Sequence, residues 1–78
     1  MKIKEGTLLN VNHIRSGKWV GIATRDFDTD NEPLYPIALA QLKPVDGLIT
    51  KARWVKGDNM PCRKTLCIIQ VREFANGH

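Results

Sequence analysis

"TLLNVNHIRSGKWVGIATRDF" (Thr7–Phe27) holds two β-favouring runs joined by a short turn. In the first, Thr7–Ile14, Leu9, Val11 and His13 fall on one face, and Leu8, Asn10 and Asn12 on the other. "RSG" (Arg15–Gly17) supplies the turn. The second run, Lys18–Phe27, places Val20, Ile22 and Thr24 on one face, and Gly21 inside it reads as a bulge or a sharp bend. This alternation with period two points to an all-β domain.

Outward from there the pattern repeats. Leu34–Leu42 is a third strand, kept late or at an edge by Pro36, which has no N–H to give. "PIALAQL" also has helix-forming residues, but the alternation of Ile37 and Leu39 after Pro36 suits a strand better. "KPVDG" (Lys43–Gly47) reads as a turn and Leu48–Val55 as the fourth strand. "KGDNMP" (Lys56–Pro61) reads as another turn, and Cys62–Phe74 as the fifth and longest strand. Five short strands in 78 residues predict a small five-stranded, partly open barrel that fills the chain as one domain.

"EGTLLNV" followed by "SGKWVGIA" is similar to the opening of a KOW or Src-homology-3-like small barrel, over residues 5–25. The likeness implies a barrel of the Src-homology-3-like type, with Gly17 and Gly21 permitting the bend between the first two strands. Such barrels take RNA, DNA, peptides or small ligands, so the fold alone names no function. The compact, turn-dense composition also resembles that of small bacteriophage proteins. That likeness implies a viral protein that sequesters a host nucleotide signal or inhibits a host protein.

Composition narrows the classes. At 42% hydrophobic and 26% charged residues the chain has a globular, not a disordered, composition. A net charge of +4 and a pI near 9.4 favour polyanionic partners, although a charge of this size also serves ordinary solubility. No apolar run approaches the ~20 residues that span a bilayer, and "MKIKEG" lacks an apolar core for a signal peptide. A cytoplasmic location and no membrane partner are therefore expected. In a single strand, Cys62 and Cys67 would fall on opposite faces roughly 16 Å apart, too far for a disulfide. Their spacing is not that of a zinc site, even with His13 and His78 added, so free thiols are expected and no metal or cofactor.

"RDFDTDNEP" (Arg25–Pro33) carries Asp26, Asp28, Asp30 and Glu32 on alternate residues. It begins like a calcium loop, but Asn31 stands where the loop needs Gly, and Ile37 where it needs a bidentate Glu. A solvated turn closed by Pro33 needs less. Set aside these four acids and about +8 remains on the rest of the chain.

That positive charge concentrates in three places. Arg15 and Lys18 flank the first turn beside Trp19; Lys51 and Arg53 share a face of the fourth strand next to Trp54, with Lys56 at its end; Arg63 and Lys64 follow across the next turn. The fourth and fifth strands are then expected to form a basic hairpin. Cations for phosphates, with Trp19, Trp54 and Tyr35 as faces for bases, are what a nucleic acid or nucleotide ligand requires, each stacked base adding roughly 1–3 kcal/mol. Both tryptophans are equally suited to the core of so small a domain, Tyr35 to packing under the acidic loop, and His13 to a structural place.

Catalysis finds little footing. Ser16 is the one serine and has no arguable His/Asp partner, and Cys67 lies in an apolar run. Cys62, beside Arg63 and Lys64, is the one reactive-thiol candidate. The expected function is non-enzymatic binding of a phosphate-bearing ligand, with a protein-interaction module as the alternative, through the Pro36 strand or the long fifth strand. A homo-oligomer fits either, because a domain of this size gains core by pairing.

Overall fold

The computed structural model describes residues 1–45 and 48–72, the side chains of 48–51 excepted. The elements are β1 (Lys2–Ile3), β2 (Leu8–His13), β3 (Gly17–Ala23), β4 (Phe27–Asp28), β5 (Leu34–Tyr35), β6 (Ile37–Val45), β7 (Leu48–Asn59), β8 (Cys62–Arg63), a 3-10 turn (Lys64–Leu66) and β9 (Cys67–Val71). There is no α-helix among the described residues. Five strands form one antiparallel sheet in the order β7-β6-β3-β2-β9, and β1-β4 and β5-β8 form two short ladders beside it. The chain is all-β with a five-stranded sheet, and among the described residues the sheet does not close into a barrel.

The β2–β3 hairpin forms where expected. His13 pairs with Gly17, whose φ of 80° lies in the left-handed region that glycine reaches without a side-chain clash. The imidazole holds the turn: His13 Nδ1 accepts the backbone N–H of Arg15 at 3.0 Å and of Ser16 at 3.4 Å. His13 is therefore a structural histidine.

The core lies between the sheet and the two short ladders. Ile3, Leu9, Val11, Ala23, Phe27, Tyr35, Ile37 and Cys62 form it, with Trp19, Cys67 and Ile69 packed against it. The core face of β3 is thus Trp19, Gly21 and Ala23, while Val20 and Ile22 lie on the opposite face. Gly21 marks a close approach and no bulge, since its pairing with Leu9 continues an unbroken register. A Cβ on Gly21 would come within 2.5 Å of Ile37 Cγ2 and 3.2 Å of Val11 Cγ2. Hydrogen at this position lets β3 lie flat against the Ile37 side chain.

Several boundaries differ from expectation. The expected second strand divides: β3 ends at Ala23, and Phe27–Asp28 pairs with Lys2–Ile3 instead. The third divides at Pro36, leaving Leu34–Tyr35 to pair with Cys62–Arg63. Lys56–Asn59 is strand and not turn, because a register shift between Ala38 and Ala40 absorbs an extra β7 residue as a bulge. The turn placed at Lys43–Gly47 is shorter, as β6 runs to Val45, and Asp46 and Gly47 lie outside the described residues. The fifth strand is broken by the 3-10 turn, and its expected extension to Phe74 lies outside the described residues.

The basic hairpin does not form, since β7 and β9 are the two opposite edges of the sheet. β6 pairs with β3 only from Ile37 to Leu39, and beyond that it runs with β7 alone as a two-stranded arm.

Candidate functional site

Between the two register shifts of β6 and β7 (Ala52–Lys56 on β7), and in the other sheet pairings, even-numbered residues face even-numbered partners: Leu8 pairs with Ile22, Ile22 with Ala38, Asn10 with Gln70, and Ala40 with Lys56. They share one face, and the odd-numbered residues take the core side. The even face carries Asn10 and Asn12 from β2, Lys18, Val20 and Ile22 from β3, and Ala38, Ala40 and Leu42 from β6. Trp54 and Lys56 come from β7, and Ile68 and Gln70 from β9. Over these strand residues it holds no carboxylate.

The face is curved. Arg72, one residue beyond β9, places its Cζ 5.4 Å from the centroid of the Trp54 ring on β7. In a flat sheet those two edge strands would stand about 19 Å apart, at ~4.8 Å per strand, and a four-residue offset along the strands separates the side chains further. The sheet therefore coils, bringing both edges over the same face. Arg72 also donates from Nη1 to Asn10 Oδ1 at 3.2 Å, so a single guanidinium ties β2, β7 and the end of β9. Trp54, Val20 and Ile22 are half-buried there, and Leu8, Ala38 and Ala40 are buried beneath.

Next to this clamp a depression of about 590 Å³ opens along β2, β3 and β9, lined by Asn10, Asn12, Lys18, Val20, Ile68 and Gln70 together with Val11 and Trp19. Its volume is within the usual range for small-ligand sites. The amides give donors and acceptors together, Lys18 gives positive charge, and Ile68 and Val20 give apolar contact.

The structure divides the residues singled out from sequence. Lys18, Lys56 and Trp54 fall on this face. Arg53 is exposed on the other face of the arm, directly opposite Lys43. Lys51 lies in β7 with its side chain outside the described residues. Arg15 is exposed in the β2–β3 turn. Arg63 pairs with Leu34 in the small β5-β8 ladder, and Lys64 Nζ donates to the backbone oxygen of Asp30 at 3.4 Å, so this basic pair borders the acidic loop. Tyr35 is 5% exposed, its ring centroid 5.5 Å from that of Phe27, and it offers no face to a ligand. Trp19 packs against the core and donates from Nε1 to Ser16 Oγ at 3.0 Å. Asn10, Asn12, Gln70 and Arg72 were not singled out. The alternation of Asn10 and Asn12 opposite Leu9 and Val11 was visible, but only the pairing with β9 shows that they meet Gln70 and Arg72.

The remaining reactive groups are engaged. Cys62 is 3% exposed, donates to the Met60 carbonyl at 3.2 Å, and burial pushes its pKa up to about 11. The Arg63 and Lys64 charges do not offset this. Cys62 and Cys67 sit on separate strands around one core cluster, with the 3-10 turn between them, and the thiols are close enough to perturb one another. Ser16 and His13 both serve the β2–β3 turn.

The acidic stretch is a tethered loop. Asp28 Oδ1 accepts the Asp30 N–H at 3.0 Å, and the Met1 ammonium lies 3.3 Å from Asp28 and 3.1 Å from Asp30. Glu32 pairs with Arg25 at 2.6 Å. Among the described residues no three metal-ligating side chains converge.

The chain matches no family model, no curated protein and no solved structure. No helix among the described residues is long and apolar enough to cross a membrane.

Proposed function

We propose that this chain is a non-enzymatic binding module for a phosphate-bearing ligand, a nucleic acid or a nucleotide, taken on the even-numbered face of the sheet. The observation that carries this is the composition of that face: Lys18, Lys56 and Arg72 with three amide side chains and one indole, and no carboxylate among its strand residues. Phosphates need the cations, base edges need the amides, and a base can stack beside Trp54 once Arg72 turns to a phosphate. A meander of four strands whose fifth returns beside the first supports the finer fold reading, an open small barrel of the Src-homology-3-like type.

The test is a fluorescence titration of a Trp19→Phe protein, in which Trp54 is the sole indole, with a short oligothymidylate and with a nucleoside triphosphate. Quenching is expected. For the oligonucleotide, affinity should fall with a log–log salt slope of about −0.7 per phosphate neutralised, and for the nucleotide less steeply. No spectral change and no retention with either ligand at low salt overturns the reading.

A protein-interaction module is the second reading. The edge strand β9 favours it, with Ile68 66% and Val71 43% exposed.

A further inference from the structure

We propose that the open edge of β9 is a self-association surface, at which a second copy of the chain adds its own β9 antiparallel and extends the sheet across the pair. The backbone decides which groups face outward. Arg72 N–H donates to the Leu8 carbonyl and Ile14 N–H to the Leu66 carbonyl, each at 2.9 Å. Both belong to the hydrogen-bonded class of pairs in the β2–β9 ladder, and that class recurs at every second residue. Residues 66, 68, 70 and 72 thus turn their backbone groups to β2. Cys67, Ile69 and Val71 direct theirs to the open edge, where β9 has no partner among the described residues.

A two-fold axis through Ile69 satisfies all three at once. Cys67 then faces the second copy's Val71, and Ile69 faces its own counterpart, each as a hydrogen-bonded pair. Charge favours the same choice. Cys67–Val71 contains no ionised side chain, so the strand meets its copy without repulsion. The other edge, β7, carries exposed Arg53 and Lys56, the kind of residues that discourage strand addition. On the even face Ile68 would lie opposite the second copy's Gln70, joining the two binding faces side by side into one longer surface.

The pairing needs no ligand, so it stands or falls separately from the proposed binding function. Sedimentation of the bare protein over a range of concentrations should show a monomer–dimer equilibrium. Val71→Pro removes one outward N–H and no bond to β2, and it should give a monomer with an unchanged circular dichroism spectrum. Val71→Thr keeps the N–H and should remain dimeric. A wild-type chain that stays monomeric to its solubility limit overturns the proposal, as does a Val71→Pro chain that is folded and still dimeric. Should Val71→Pro unfold, amide exchange in the wild type decides. Protection at Cys67, Ile69 and Val71 that rises with protein concentration supports the pairing, and fast exchange there in the dimer overturns it.

Discussion

The Arg72 guanidinium lies over the Trp54 indole with Cζ 5.4 Å from the ring centroid, although the two residues belong to opposite edges of the sheet. The pair locks the curvature of the candidate face. Arg72→Ala, Trp54→Leu and the double variant should show a coupling of about 0.5–1 kcal/mol in urea unfolding, as for partly exposed cation–π pairs. Arg72→Ala should also red-shift the Trp54 emission. Strictly additive losses would mean that the two side chains touch without stabilising the curve.

Gly21→Ala tests the close approach of β3 to Ile37. The added methyl meets a side chain at 2.5 Å, and overpacking of this kind costs about 1–3 kcal/mol. The loss should be smaller when Gly21→Ala is made in an Ile37→Ala background, which removes the clashing Cγ2. A neutral Gly21→Ala, measured by the same unfolding curves, would show that the core yields more easily than its geometry implies.

The two thiols should behave as buried groups. Native protein at pH 8 should react with a thiol reagent far more slowly than urea-unfolded protein at both Cys62 and Cys67, whose pKa values burial raises. The linkage has a definite sign. The folded state keeps the Cys62 proton to about pH 11, while an unfolded thiol releases it near 8.5, so stability falls as pH rises between those values. Rapid labelling of Cys62 in the folded protein would contradict its placement.

The acidic loop should loosen at both ends of the pH scale. The N–H of Asp30 and then the Met1 ammonium hold the Asp28 carboxyl below its ordinary value, and Asp30 and then Asp28 hold the ammonium above its own. The contribution of Asp28 is complete above about pH 4 and is lost as pH falls through its depressed pKa. That of Met1 is complete below about pH 8 and is lost as pH rises through its raised one. Amide protection at Asp30 and Asn31, the exchange rate relative to its intrinsic value at each pH, should be greatest in between, and N-terminal acetylation should lower it at pH 7. Exchange unaffected by acetylation would show that the ammonium contributes nothing.

Local pattern was legible in the sequence and non-local pairing was not. Thr7–Ile14 read correctly because its alternation is strong and its ends are marked by Gly6 and the Arg15–Gly17 turn. The facing of β3 was obscured because its central core residue, Gly21, has no side chain to signal burial. "KGDN" has turn chemistry, yet it continues β7 as a bulge, a choice made by pairing with β6. The separation of Cys62 from Cys67 was misjudged because the three-residue 3-10 turn, Lys64–Leu66, interrupts the extended run between them. Charge proximity in sequence joined Arg53 to Arg63 in one hairpin, whereas Arg53 lies in β7 beside β6 and Arg63 in β8 beside β5. Arg72, which completes the face, sits 62 positions from the Asn10 it contacts.

The most direct measurement is oligothymidylate binding, with its salt dependence, for two charge-matched variants. Lys18→Gln with Lys56→Gln removes both lysines from the even face, and Lys43→Gln with Arg53→Gln removes two cations from the opposite face of the arm. The first should weaken binding about tenfold or more and lower the magnitude of the log–log salt slope by about 1.4, two contacts at ~0.7 each, while the second leaves both nearly unchanged. Equal losses in the two variants, or a loss confined to the Lys43/Arg53 pair, would contradict the assignment of the even face as the binding surface.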